Sequence, residues 1–393
     1  MKFIRMALAR GVPALGAIFF NIYVASQLRV DDADIFFFWF SVLYILSFLG
    51  RLGFDTYVLR ALDAHGEFSA AACKRAALLA SVLLAAGAIF FAPREVQWLL
   101  FSLPAFSLVG INSSVLRAQG KDSLGGIFEI SLLSLVALGV IIVGDLTGSG
   151  IALAQVSEGF AVASIGVFIV SEFIVGRCHS VFGRGAWLSP DISTGLRFVP
   201  SPLMIYITQW VAIFFLSGAG AGAVSIYSIA VRLASGFAFI AITIDAFVAP
   251  RFARYFREGD RDSISALISS VRRKSILILG GFFIIYAGMG RYLVVTSIGV
   301  DYVESFYVSL VVAMSYCLIL FIGPYQYCLL MGGLEQKVNM CNGFSFLLVA
   351  FGSLLLWHFG VESVSAYAAV VAASRLVGIL LMRYFSLKII ARL

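Results

Sequence analysis

Residues 272–297 read RRKSILILGGFFIIYAGMGRYLVVTS: three cations, then a run of helix length that carries no charge until Arg291. The run does not alternate between apolar and polar, as a strand of a barrel would, so its backbone must satisfy its own hydrogen bonds as a helix in hydrocarbon. The same pattern recurs along the chain. Apolar runs near 11–28, 35–57, 76–92, 97–116, 124–144 and 150–172 are followed by runs near 198–217, 222–249, 276–297, 306–331, 340–358 and 364–385. Composition agrees, with 61% hydrophobic residues, 12% charged residues, 36 Phe and a mean hydropathy of +1.00. No water-exposed globular surface of this size carries such a composition, so the expected fold is all-α and polytopic, with about twelve transmembrane helices. Most of the aromatic side chains are expected to face lipid.

Lys and Arg resist translocation, so their distribution predicts orientation. Only Arg29, Arg94 and Arg291 lie on one set of connecting segments, and Arg51, Arg232 and Arg375 lie inside spans. The remaining 22 of the 28 basic residues fall on the opposite set, both termini included. That asymmetry predicts cytoplasmic termini and explains the net charge of +7 without nucleic acid. The N-terminal run is longer than a signal peptide core and is expected to be an uncleaved first helix. The five Cys, at 73, 178, 317, 328 and 341, avoid the outward loops, so no disulfide is expected.

Six helices per half is an even number, so both halves enter from the same side. Such repeats are related by a pseudo-two-fold axis along the membrane normal, with a cavity expected between the two lobes. The expected division is an N-terminal lobe over 1–175, a cytoplasmic linker over 176–197 and a C-terminal lobe over 198–393. The linker carries Gly176, Gly183, Gly185, Pro190 and Gly195. Residues 251–275, where Ile264, Leu267, Ile268 and Val271 share one face, are expected to form a separate amphipathic helix at the cytoplasmic surface.

Signatures of soluble enzymes are missing. There is no G-x-x-x-x-G-K-[ST] phosphate loop, and Gly120-Lys121-Asp122-Ser123 lacks the upstream glycine. His65, His179 and His358 are scattered, so no metal site is expected. An ionisable group at bilayer depth costs several kcal/mol unless it faces water, a ligand or a partner. Arg232 and Arg375 have no acid nearby in sequence, whereas Arg51 has Asp55 four residues on. The three arginines are read as a cationic patch for a pyrophosphate or an acidic sugar, against the alternative of structural salt bridges. Glu158, Glu129, Asp245 and Asp55 are the candidates for exchanging H+ or Na+, and no other cofactor is expected. Asn21, Asn112, Gln155 and Gln209 are candidate polar lining, with helix-to-helix hydrogen bonds as the alternative. Pro200, Pro202 and Gly323-Pro324 are hinge candidates.

Several stretches carry a family resemblance. Gly53-Phe54-Asp55-Thr56-Tyr57-Val58-Leu59-Arg60 and Val248-Ala249-Pro250-Arg251-Phe252-Ala253-Arg254-Tyr255 follow the second and eighth spans. Ile226-Tyr227-Ser228-Ile229-Ala230-Val231-Arg232-Leu233 and Leu329-Leu330-Met331-Gly332-Gly333-Leu334-Glu335 add to them. In their order along the chain they resemble the polysaccharide flippases of the multidrug/oligosaccharidyl-lipid/polysaccharide exporter superfamily. The resemblance implies two six-helix lobes, alternating access and no catalysis. Its implied cargo is an undecaprenyl-diphosphate-linked repeat unit, flipped across the bacterial inner membrane for O-antigen, capsule or exopolysaccharide. The implied partners are membrane lipids, that lipid-linked oligosaccharide, and the polymerase and chain-length machinery. The chain departs from many relatives at Thr208-Gln209-Trp210, where a coupling charge is missing. A drug or cation exporter of the same superfamily is the alternative, followed by a polytopic polymerase or glycosyltransferase.

Overall fold

The structure, a computed structural model, describes residues 2–64, 70–146, 151–176, 179–182 and 192–391. Every regular element among them is helical. Among the described residues nine helices are long and apolar enough to cross a membrane, and three shorter apolar ones, Gly11–Gln27, Ser131–Asp145 and Pro202–Leu216, stand at the other expected spans. The chain is a multi-pass membrane protein that divides into two compact units, Met1–Leu203 and Met204–Leu393.

The first unit contains α1 (Lys2–Gln27), α2 (Val30–Gly50), α3 (Phe54–Ala64), α4 (Ala71–Ile89), α5 (Gln97–Phe101), α6 (Leu103–Ala118), α7 (Asp122–Ile127), α8 (Ile130–Asp145), α9 (Leu153–Val175) and α10 (Ile192–Leu196). Helix α6 is its axis, buried along nearly its whole length, with α3, α4 and α9 packed on it. Small side chains such as Ser107, Gly110, Ser113 and Ser114 permit that close approach. The interior holds an aromatic cluster. Phe20, Phe36, Phe40, Tyr44, Phe106 and Phe160 are buried, with neighbouring ring centroids 4.9–6.1 Å apart. These rings pack inward rather than toward lipid, because edge-to-face and stacked pairs fill the space between apolar helices as well as aliphatic groups do.

The expected second span, 35–57, is broken. Arg51 ends α2, and both Leu52 (φ 53°) and Gly53 (φ 73°) adopt the left-handed conformation that stops a helix. A side chain at Gly53 would meet the carbonyl oxygen of Gly195, which places α10 against the break. The Gly53→Ala substitution is therefore expected to cost about 1–3 kcal/mol, from the strained φ and the backbone collision together. Thermal unfolding of the detergent-solubilised protein measures it, with Gly87→Ala as the unaffected control, since nothing lies within 4 Å of that site. The described parts of the expected linker, His179–Phe182 and α10, also belong to this unit; Cys178, Gly183, Gly185 and Pro190 lie outside the described residues.

Helix α11 (Pro200–Leu216) begins at Pro200, where the missing N–H costs nothing, so its prolines open the helix rather than hinge it. It leads into the second unit, with α12 (Ala223–Glu258), α13 (Arg261–Ser297), α14 (Val303–Ile322), α15 (Tyr325–Met331), α16 (Glu335–His358) and α17 (Val364–Ile390). Gly323 and Pro324 separate α14 from α15.

The expected surface helix within 251–275 does not exist as a separate element. Helix α12 runs on to Glu258, the turn is Gly259 and Asp260 alone, and Asp260 caps α13 by accepting from the Ser263 N–H at 2.9 Å. Those hydrogen bonds hold the Asp260 carboxyl below the ordinary carboxylate range. The apolar face of Ile264, Leu267, Ile268 and Val271 is buried against Val248, Phe252, Tyr325, Leu329 and Ile379. An amphipathic stripe marks only that one face is covered; here other helices of the unit cover it, not the membrane surface.

Candidate functional site

The second unit contains a half-open cavity of about 90 Å³ with a mixed polar and apolar lining. Each contributing helix presents a stripe at helical spacing: Ile205 and Thr208 from α11, Asn342 and Ser345 from α16, and Arg375, Gly378, Ile379 and Met382 from α17. Ile319 comes from the end of α14, and Gln326 from α15 just beyond the Gly323-Pro324 break. A side chain at Gly378 would meet the Ser345 hydroxyl and turn it to another rotamer, so α16 and α17 approach closely here.

The single cation of this lining is Arg375, and no carboxylate lines it among the described residues. Its guanidinium carbon lies 4.3 Å from the centroid of the Tyr316 ring, an attraction that offsets part of the cost of removing the charge from water. Its Nη1 is buried and donates to no protein atom among the described residues. Tyr316 in turn donates to Gln209 Oε1 at 3.4 Å, and Tyr227 donates to the Gln209 carbonyl at 2.7 Å. Arg232 lies 4.7 Å over the Trp210 ring, which stacks on Tyr206. The three consecutive residues Thr208, Gln209 and Trp210 thus take three tasks: lining the cavity, holding Tyr316, and carrying Arg232. Two half-buried cations on aromatic faces, beside hydroxyl and amide side chains, make this region chemically suited to an anion.

The other sequence candidates lie in the first unit. Arg51 is 5% exposed, pairs with Asp55 at 3.4 Å, donates to Ser47 Oγ at 3.2 Å and lies over Phe48. These bonds fasten the break after α2. Glu129 is paired with Arg117. Asn21 donates to Ala17 O on its own helix, and Gln155 Oε1 accepts from the Ala152 N–H at the start of α9. Glu158 is exposed and shares an open groove of about 320 Å³ with Gln155 and Asp145, the latter accepting from the Tyr23 hydroxyl at 3.0 Å. The side chain of Asp245 lies outside the described residues.

One constellation escaped the sequence reading. Lys74 Nζ lies 2.9 Å from Glu172 Oε1, and Lys74 is fully buried. Asn112 donates to Glu172 Oε1 at 2.9 Å and to Ser171 Oγ at 2.8 Å, and the Val181 N–H donates to Glu172 Oε2 at 2.9 Å. The network joins α4, α6, α9 and the segment after α9. Burial, followed by the nearby Lys74 charge, pushes His179 below its usual range, which suits a neutral Nδ1 accepting from the Ala70 N–H at 3.4 Å. The apolar runs 76–92 and 150–172 leave Lys74 in a loop and Glu172 at the last position of its span. The available signal was that each stands within a turn of apolar helix, where a charge needs a partner.

Solved structures share this fold at low identity. A multidrug resistance MATE family transporter of the MOP superfamily, in its inward-facing conformation, matches with a TM-score of 0.72 at 13% identity, over 98% of this chain and 98% of that one. The lipid II flippase MurJ matches with a TM-score of 0.74 at 14% identity, over 98% and 87%. A MOP superfamily transporter from Pyrococcus furiosus, described by the reversed polarity of its binding pocket, matches with a TM-score of 0.69 at 14% identity, over 99% and 94%. No family model and no curated protein match the chain. At such identities the likeness establishes the fold, an all-helical MATE/MOP transporter architecture.

Proposed function

We propose that this chain is a flippase that carries an anionic, lipid-linked saccharide across a membrane by alternating access. The observation that carries the reading is the cavity of the second unit, lined by Arg375 with hydroxyl and amide groups and by no carboxylate among the described residues. A volume of about 90 Å³ accommodates a phosphate group or a handful of waters but not an oligosaccharide. In this reading the cavity grips the pyrophosphate linkage, while the sugars stay in a wetter space and the polyprenyl tail stays in the bilayer. In this reading Arg375 offers its guanidinium to phosphate oxygens, and the Tyr316 ring, 4.3 Å from the guanidinium carbon, steadies it. The narrower proposal names undecaprenyl-diphosphate-linked repeat units for O-antigen, capsule or exopolysaccharide, moved across the bacterial inner membrane and passed to a polymerase. H+ or Na+ exchange at Glu158 is the proposed coupling.

A second reading rests on the groove of the first unit, where Glu158 and Asp145 would suit a cationic cargo, as in a drug exporter. One reconstitution separates the two. In proteoliposomes containing the purified chain, a fluorescent polyprenyl-pyrophosphate saccharide is expected to become accessible to a lectin on the far side, while a cationic dye is not moved. Dye transport with no movement of the lipid-linked sugar would reverse the assignment.

A further inference from the structure

Helix α13 changes character abruptly. Up to Lys274 it is polar on its outer side; from Ile276 it is apolar, and Ile276, Leu277 and Ile278 are 48%, 71% and 55% exposed. An open groove of about 380 Å³ lies across this junction, lined by Ser269, Arg272 and Arg273 on the polar side and by Ile276 and Leu277 on the apolar side. These positions recur at three and four residues and form one stripe. Lys274 follows directly and is exposed. The nearest acid on the helix, Asp262, lies three turns back, about 15 Å away at 1.5 Å per residue, beyond the Debye length in physiological salt.

Arg272 is fixed in place. Its Nε–H donates to the Phe321 carbonyl at 2.9 Å, one of the carbonyls left over at the end of α14, and this orients the guanidinium plane. Its terminal nitrogens make no further hydrogen bond among the described residues, and neither Arg273 nor Lys274 forms an ion pair there. The groove therefore combines an oriented guanidinium and two solvated cations with an adjoining hydrocarbon face. An inorganic anion would satisfy only the first half, and a neutral lipid only the second.

We propose that this groove is a binding site for an anionic phospholipid of the surrounding bilayer. The headgroup phosphate is held by Arg272 and Arg273 with Lys274 nearby, and an acyl chain lies along Ile276 and Leu277. By the distribution of basic residues, the leaflet is the cytoplasmic one. The site is independent of the cavity around Arg375, and its occupant is a resident lipid rather than cargo.

The test uses the full-length protein in nanodiscs of phosphatidylcholine alone or with an increasing share of phosphatidylglycerol. Lipid retention is read by native mass spectrometry, and thermal stability is read in parallel. Wild type is expected to retain phosphatidylglycerol over phosphatidylcholine, and the Arg273→Ala/Lys274→Ala variant to lose about tenfold of that preference. Both residues are exposed and make no structural bond in the described chain, so stability in pure phosphatidylcholine should be unchanged. The control is Arg257→Ala/Arg261→Ala, which removes equal charge at the α12–α13 turn, about three helical turns from the groove. An equal loss in that control would reduce the effect to diffuse surface charge and overturn the site. Displacement of phosphatidylglycerol by substoichiometric polyprenyl pyrophosphate would overturn it too, by giving the groove to the transported lipid.

Discussion

Replacing Arg375 by Ala is expected to reduce transport of the lipid-linked saccharide roughly 30- to 150-fold while leaving the protein folded and membrane-inserted at wild-type abundance. A hydrogen bond to a charged group is worth about 1.5–3 kcal/mol, and bidentate contacts from a guanidinium lie at the upper end. Arg375 forms no ion pair among the described residues, so its truncation leaves no opposite charge stranded in the interior. Its structural contribution is the contact with Tyr316, about 1–2 kcal/mol, which a unit of this size tolerates. Arg375→Lys should recover part of the activity, because a point charge remains but the fork does not. The comparison that gives the result meaning is Arg51→Ala, which strands Asp55 and should lower abundance before it alters transport. Loss of abundance in Arg375→Ala, or unchanged flipping by a well-folded variant, would remove the cavity from the mechanism.

The largest loss of stability is expected at Lys74. Lys74→Met leaves Glu172 buried with its counter-charge gone, a situation that costs about 3–5 kcal/mol. At roughly 2–4 °C per kcal/mol for a unit of some 200 residues, the melting temperature should fall by about 6–20 °C. Glu172→Gln should cost a comparable amount, because it strands the buried Lys74 in the same way, although the amide oxygen still accepts from Asn112. The double variant Lys74→Met/Glu172→Leu should lie above Lys74→Met in stability, since no uncompensated charge then remains, with a residual cost from the orphaned Asn112 amide and Val181 N–H. A thermal-unfolding double-mutant cycle measures this coupling; strictly additive single effects would mean that the two side chains do not act as a pair.

Much of the architecture could be read from the apolar runs, since hydrocarbon demands helices of a minimum length with every backbone group satisfied internally. The errors have a common origin. A run such as 35–57 is apolar on both sides of Arg51–Gly53, and hydropathy averages over the left-handed residues that break the helix there. The amphipathic stripe of 264–271 showed that one face is covered, and could not show by what. Charged side chains near span ends were misplaced for the same reason: a shift of one turn turns a loop lysine into the buried Lys74.

The candidate site was legible in its residue types and not in its grouping. Arg51, Arg232 and Arg375 stand out equally as intramembrane cations, yet one is neutralised by the acid four residues on, one lies on Trp210, and one lines a half-open cavity of mixed polarity. Asn21, Asn112 and Gln155 are likewise conspicuous; Asn21 and Gln155 bond backbone groups at their own helices, and Asn112 reaches Ser171 and Glu172 on α9. By itself the sequence determined the solvent, the helical class, and the approximate number and placement of the spans, because those follow from the polarity of each stretch taken alone. Which polar groups meet and which are consumed in pairs was decided only by tertiary structure. The energy of a charge in a low-dielectric interior depends on atoms within a few ångströms, and residues such as Lys74 and Glu172, far apart along the chain, become such neighbours only once the helices pack.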